Sequence, residues 1–347
     1  MIINSKNYKL LIVECEGSHA GVNLSELDIC GRNALSWLMS ISDECEVIKS
    51  VNPSELTDTI VLYSDTPLVN EDTLKGICEY MEEHELDSVE MARGYVIGKS
   101  FADCRKVDLC SDDFVRLSDS INYSKICKAL RERINLSHMQ NGVFMTDPDT
   151  VYIDAGVAIG EGTVIAPNNR LAGATVIGKN CVLESGNFLT DTVISDNVKL
   201  TSVVSVEARV GEGTTVGPYV YLRPSANVGA HCKVGDFVEI KNSNIADGTK
   251  VPHLAYVGDA DVGSGVNVGC GVIFANYDGR KKHRTTVGDK TFIGSNTTLI
   301  APIEVGEKVF IAAGATISRS LPDGALVIAR ARETIKEGRA ENYLKKE

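Results

Sequence analysis

From about residue 150 onward, an aliphatic side chain returns at every sixth position. Ile153, Ile159, Ile165, Leu171, Ile177, Leu183 and Leu189 form one run. Val210, Val216, Leu222, Val228, Val234 and Ile240 form a second, and Val287, Ile293, Leu299, Val305, Ile311 and Ile317 a third. A helix repeats at about 3.6 residues and a strand at about 2, so neither alone yields a period of six. A three-sided coil does. Each side is a short strand and a tight turn, the aliphatic residue points into the prism, and three hexapeptides complete one coil. Stacked coils bury a continuous aliphatic column and pair their backbones with the coils above and below. Gly often follows the aliphatic residue, as at Gly160, Gly178, Gly217, Gly229, Gly235, Gly269, Gly288, Gly294 and Gly306, where it relieves a cramped or positive-φ turn. A narrow coil needs few large rings, which fits 31 glycines and 6% aromatic residues.

One stretch breaks the repeat. Asn276-Tyr277-Asp278-Gly279-Arg280-Lys281-Lys282-His283-Arg284 is polar and turn-rich and lies between Phe274 and Val287. It is expected to loop out of the prism. The basic run 280–284 stands out in a chain of net charge -12. Loops on a rigid scaffold carry function disproportionately, and cations suit a phosphate or a pyrophosphate. The net acidity argues against nucleic acid as a partner.

Residues 1–118 alternate short apolar runs with helical patterns and read as a small α/β domain. Strands are expected at 9–13 and 59–63, and helices at 34–42 and 71–84. Residues 119–149 read as a linker holding an exposed helix at 121–134, residues 150–332 as the coil, and 333–347 as a tail. The ten cysteines include no CxxC pair, so neither a zinc site nor a thioredoxin-like motif is expected; they read as reduced thiols used as small apolar residues. The apolar run 10–13 is too short for a signal peptide and is followed by Glu14 and Glu16. No apolar segment reaches membrane-spanning length, so a cytoplasmic location is expected.

The most specific stretches lie within Val216 to Arg330. They are Gly217-Pro218-Tyr219 with Leu222-Arg223-Pro224, Gly235-Asp236-Phe237-Val238-Glu239-Ile240-Lys241, His253-Leu254-Ala255-Tyr256-Val257-Gly258-Asp259-Ala260, Asn276-Tyr277-Asp278-Gly279, and Ile311-Ala312-Ala313-Gly314. In these stretches the chain closely resembles the acetyltransferase half of the bacterial bifunctional N-acetylglucosamine-1-phosphate uridyltransferase/glucosamine-1-phosphate acetyltransferase family. The likeness extends upstream through Arg131 to Pro167, including His138-Met139 and Asp147-Pro148. It implies a left-handed parallel β-helix and transfer of an acetyl group from acetyl-CoA to glucosamine-1-phosphate, with no metal. It implies three chains side by side sharing each active site. His253 is then the general base, a role that suits imidazole because its unperturbed pKa lies near neutrality, and Glu239 a candidate to orient it. Arg223, Lys241, Tyr256, Asn267 and Lys282 fall where the family holds the sugar and phosphate. Cys270, Asn276, Tyr277, Ser295, Ala313 and Arg330 fall where it contacts acetyl-CoA. Position 270 is Cys where the resembled enzymes usually have Ala.

The first part of the chain departs from that family. The family opens on a strand and a Gly-rich loop, L-A-A-G-x-G-T-R-M, that wraps nucleotide phosphates. Here strand 10–13 runs into Glu14-Cys15-Glu16-Gly17-Ser18-His19, whose carboxylates would repel a triphosphate. The region before the coil is also shorter than the family's by roughly a hundred residues, about one domain's worth of core. Tyr63-Ser64-Asp65-Thr66-Pro67-Leu68 resembles the strand whose Asp binds magnesium, but a lone carboxylate makes a poor metal site, and Asp65 reads as a turn cap. Uridyl transfer is expected to be lost. Two other readings stay open: an acetyltransferase for another amino sugar or nucleotide sugar, and a non-catalytic scaffold.

Overall fold

The computed structural model describes residues 1–344; the end of the expected tail, 345–347, lies outside the described residues. The chain divides into two compact units, Met1–Val157 with Arg170–Ala174, and Ala158–Asn169 with Thr175–Glu347.

The first unit is built on a six-stranded sheet in the order Arg105–Lys106, Ser88–Met91, Gly94–Ile97, Thr59–Tyr63, Lys9–Val13, Cys45–Ile48. Lys9–Val13 lies parallel to both its neighbours, and Gly94–Ile97 is antiparallel to Thr59–Tyr63. Three α-helices accompany it: α1 (Ala34–Met39), α2 (Glu71–Glu83) and α3 (Ser120–Gln140). Helix α2 starts where Asn70 and Thr73 form a reciprocal capping box, and it buries Leu74, Ile77, Cys78 and Met81 against Leu10, Ile12, Ile60 and Leu62. The expected linker helix proves to be a packed part of this unit. Its Ile126 and Leu130, one turn apart, are buried with Leu24, Ile29, Leu68 and Leu117. The polar residues that made it read as exposed occupy its other faces.

The second unit is a left-handed parallel β-helix whose two-to-four-residue strands stack into three parallel sheets. Val164 pairs with Val182, three hexapeptides on. Later coils drop a residue or two in their turns: Lys233 pairs with Lys250, and Lys199 with Thr215. All the periodic aliphatic residues are buried except Ile159, which is half-buried. Beside the aliphatic column runs a ladder of small inward residues, including Thr163, Cys181, Thr214, Cys232, Thr249 and Thr291. The Cys181 thiol donates to the Ser195 carbonyl at 3.1 Å, and Thr163 Oγ1 accepts from the Cys181 N–H, so these polar atoms are satisfied inside the prism. All ten cysteines are free thiols.

The glycines serve close approach more than positive φ. A Cβ placed on Gly235 would lie 1.9 Å from the Pro252 carbonyl oxygen of the next coil. Three faces carry the residues that matter below. The first holds Lys233–Asp236, Lys250–His253 and Asn267–Val268; the second holds Val220–Leu222, Glu239–Lys241, Tyr256–Gly258 and Ile273–Ala275; the third holds Ser243–Ile245, Ala260–Val262 and Thr285–Val287. The stretch after Ala275 leaves the prism, as its composition predicts, and the chain rejoins at Thr285, which pairs with Ala260. Among the described residues, no helix is long and apolar enough to cross a membrane.

Candidate functional site

Stacking brings residues about one coil apart into contact. On the first face, Asp236 lies in register beneath His253, and its Oδ1 is 2.5 Å from the imidazole Nδ1. The ring is half-exposed on the outside of the prism. Around the corner, on the second face, Glu239 lies beneath Tyr256. Glu239 does not orient the histidine: its Oε1 accepts from Arg223 Nη1 at 2.8 Å. The cause is the corner of the prism: Glu239 belongs to the neighbouring face, where Arg223 follows the strand below. That hydrogen bond from Arg223 to Glu239 holds the guanidinium above its usual pKa.

The second face meets the loop at Asp259, a carboxylate 6% exposed. Asn242 Nδ2 donates to Oδ1 at 2.6 Å, Asn276 Nδ2 donates to Oδ2, and Lys241 Nζ lies 3.7 Å from Oδ2. Burial works to raise the pKa of Asp259, but the bonds from Asn242 and Asn276 and the charges of Lys241 and Lys282 outweigh it, and the group sits below the usual range. Asn276 also reaches the Tyr256 hydroxyl at 3.4 Å. Lys282 comes in from the loop, and contact with the Lys241 ammonium depresses its pKa. Two ammonium groups held together around one carboxylate leave positive charge uncompensated, which suits a phosphate.

The loop that delivers Lys282 is closed on itself. Asp278 accepts from the N–H groups of Arg280 and Lys281 at 2.7 Å each and lies 2.6 Å from His283 Nε2. The Lys281 N–H, the His283 ring and the Arg280 N–H push the Asp278 carboxyl down to about 2. Arg284 clamps the far end on Asp261 and on the carbonyls of Asn242 and Ala260.

The remaining expected residues run up the edge between the first two faces. The Gly271 N–H donates to the His253 carbonyl, Asn296 N–H to Cys270, and Gly314 N–H to Ser295; a Cβ on Gly314 would lie 3.9 Å from Arg330 Cδ. His253, Cys270, Ser295, Ala313 and Arg330 therefore follow one another along successive coils. Asn267 sits on the first face between Lys250 and Phe292. Tyr277 is exposed and bridges to Lys282. The side-chain amide of Asn276, expected at the acetyl donor, is committed to Asp259 and Tyr256.

Sequence reading assigned no role to Asp236 or Asp259. The signal was there: Asp236 and His253 each stand two positions after an inward valine, Val234 and Val251, so they share a place in consecutive coils.

In the first unit, Asp65 is 7% exposed and is not a turn cap. Arg93 grips it through Nε and Nη2, both at 3.1 Å, and Arg116 Nε bonds Oδ2 at 2.5 Å. The Arg93 guanidinium also lies 4.1 Å from the centre of the Tyr63 ring. A cavity of about 510 Å³ opens beside this cluster, rimmed by Glu14, Glu16, Glu26 and Arg116. Among the described residues, no group of three or more His, Cys, Asp or Glu could hold a metal ion.

The bacterial transferase hexapeptide (six repeats) family matches at residues 207–242 and 284–319. The chain is 47% identical over 227 residues to the bifunctional protein GlmU of Clostridium acetobutylicum, covering 65% of this chain and 50% of that protein. It is 49% identical over 250 residues to GlmU of Enterococcus faecalis, covering 72% of this chain and 54% of the relative. The chain thus spans about half the length of these relatives. Among solved structures, UDP-N-acetylglucosamine acyltransferase from Campylobacter jejuni matches with 18% identity over 49% of this chain and 68% of that one, at a TM-score of 0.27. The chain is a hexapeptide-repeat protein similar to the bifunctional GlmU proteins over 65–72% of its own length.

Proposed function

We propose that the chain is an acetyl-CoA-dependent N-acetyltransferase that converts glucosamine-1-phosphate to N-acetylglucosamine-1-phosphate and does not transfer uridylate. The observation that carries this reading is the pairing of Lys241 with Lys282 around Asp259, one corner of the prism away from an outward imidazole. The ammonium pair, with Arg223 and Tyr256, holds the phosphate and sugar of the acceptor. Acetyl-CoA lies along the edge marked by Cys270, Ser295, Ala313 and Arg330, with Tyr277 at the base of the loop. Among the described residues the Cys270 backbone N–H has no acceptor, so it is available to the thioester oxygen as charge builds there. An amide N–H is the same on Cys as on Ala, so the unusual side chain at 270 leaves this contact intact.

An ammonium has no lone pair with which to attack. Imidazole Nε2 of His253, which has no partner among the described residues, accepts the proton of the acceptor amine. The amine nitrogen bonds to the thioester carbonyl carbon, the C–S bond breaks, the proton held on His253 passes to the leaving thiolate, and the second proton that the ammonium carried is lost to solvent. No metal enters this scheme. The loss of uridyl transfer rests on Asp65, whose two oxygens are already engaged by guanidinium groups where a magnesium ion would need them.

The test is thiol release from acetyl-CoA with glucosamine-1-phosphate, beside pyrophosphate release with UTP and N-acetylglucosamine-1-phosphate. Thiol release without pyrophosphate release is expected. His253→Ala should lower turnover at least about a hundredfold while leaving acetyl-CoA binding nearly intact. No thioester cleavage with any of a panel of amino sugars, or robust pyrophosphate release, would overturn the proposal.

A further inference from the structure

We infer that Asp236 is the positioning residue for His253, fixing which ring nitrogen carries the proton and which faces the acceptor amine. The inference rests on the acetyltransferase reading and deepens it.

A neutral imidazole has one N–H and one lone pair, on opposite sides of the ring. It works as a base only if the lone pair is on the nitrogen that meets the substrate. With Asp236 Oδ1 at 2.5 Å from Nδ1, that nitrogen must be the donor, because an ionised carboxylate can only accept. The lone pair is then left on Nε2. When Nε2 takes the amine proton, the imidazolium stands beside a carboxylate rather than in bulk solvent. The hydrogen bond from His253, and then the backbone N–H of Asp236 itself, holds Asp236 below the usual carboxylate range, so it stays charged throughout.

Among the described residues, Asp236 is the one side chain in hydrogen-bond contact with the His253 ring. The charged side chains on the strands stacked with His253 are Lys233 below and Lys250 on its own strand, and an ammonium has no acceptor. The strand above offers Asn267 and, beyond it, the Cys270 thiol. On the neighbouring face, Glu239 is taken by Arg223 and Asp259 by Asn242, Asn276 and Lys241.

The backbone makes the contact reproducible. Gly235, without a Cβ, lets its coil close onto the Pro252 carbonyl, and the Leu254 N–H donates to the Asp236 carbonyl at 2.9 Å. These bonds bracket the Asp236 and His253 side chains, so the pair is set by the pitch of the coil rather than by two free rotamers.

The full chain with Asp236→Asn, Asp236→Glu and His253→Ala distinguishes the possibilities. Asp236→Asn keeps the shape, but its amide can donate to Nδ1 and so favours the wrong tautomer. Its kcat should fall about a hundredfold, with the acceptor KM within about twofold and the thermal midpoint unchanged. In ¹⁵N-histidine spectra the protonated nitrogen of His253 should move from Nδ1 to Nε2. Asp236→Glu should recover part of kcat. If Asp236→Asn keeps kcat within about threefold while His253→Ala is inactive, this inference falls and the acetyltransferase reading stands. If Asp236→Asn lowers the thermal midpoint and Asp236→Glu rescues nothing, the carboxylate is structural and the inference also falls. If His253→Ala turns over normally, the reading beneath it fails.

Discussion

Among the described residues each unit buries one carboxylate almost completely, Asp65 and Asp259, and the two are used in opposite ways. In the first unit, Asp65 is gripped by Arg93 and capped by Arg116, two positive charges in direct contact with one negative. In the coil, Asp259 is held chiefly by the neutral amides of Asn242 and Asn276, while Lys241 stands off at 3.7 Å and shares the neighbourhood with Lys282. Guanidinium contacts engage both oxygens of the first carboxylate and offset its charge, which leaves it a poor ligand for a cation. Amide contacts satisfy the second and leave its lysines free to bind an anion. A buried acid is thus a closed structural knot or an anchor for open cationic chemistry according to what satisfies it.

Four measurements sharpen or break this contrast. The largest effect is expected for Asp259→Ala, which strips the buried Asn276 amide, the Asn242 amide and a lysine of their acceptor. It should cost about 3 kcal/mol in urea unfolding and sharply raise the acceptor KM; a loss below about 1 kcal/mol would show that Asp259 anchors nothing. Asp65→Ala should cost somewhat less, about 2 kcal/mol, because Arg93 and Arg116 remain partly hydrated. It should leave thiol release unchanged, and a gain of pyrophosphate release would contradict the reading that Asp65 is held by guanidinium groups. Lys282→Ala removes only a surface ammonium. The thermal midpoint should hold, and the acceptor KM should rise about tenfold at nearly constant kcat; an unchanged KM would remove Lys282 from the anion site. The smallest effect concerns the loop. Asp278 is lowered from an ordinary 3.8 to about 2 on folding. Its ionised form therefore favours the closed loop above about pH 4, and that contribution fades as pH drops towards 2. The amide resonances of Arg280 and Lys281 should titrate with a midpoint near 2; a midpoint near 3.8 would mean the loop is not closed by this carboxylate.

Much of the coil could be read from the sequence because a repeat turns tertiary contacts into local spacing. Val216, Leu222 and Val228 mark successive sides of the prism, and each is buried. The break at 276–284 was visible for the same reason, as a lapse in period. In the first unit, the strands Lys9–Val13 and Thr59–Tyr63 were legible as apolar runs, and α2 from its periodicity. Helix α3 was misjudged because its packed face joins the buried Ile126 and Leu130 to the partly buried Tyr123, Cys127 and Ala129 and to the buried polar Asn135, a mixture that does not announce an apolar stripe. At the site, the residue types announced themselves but not their pairings. Glu239 was the nearer choice in sequence to orient His253, yet the stack delivers Asp236.

The sequence by itself determined the prism, its inward column and the place where a loop must leave, because a period of six has few ways to bury its aliphatic residues. The tertiary structure decided which charges meet: Asp236 under His253, Asn276 on Asp259, and Arg93 with Arg116 on Asp65. Those contacts depend on residues dropped from individual turns and on side-chain reach across strands. Neither leaves a mark in hydrophobic spacing, because polar partners are chosen by distances of a few ångströms and not by periodicity.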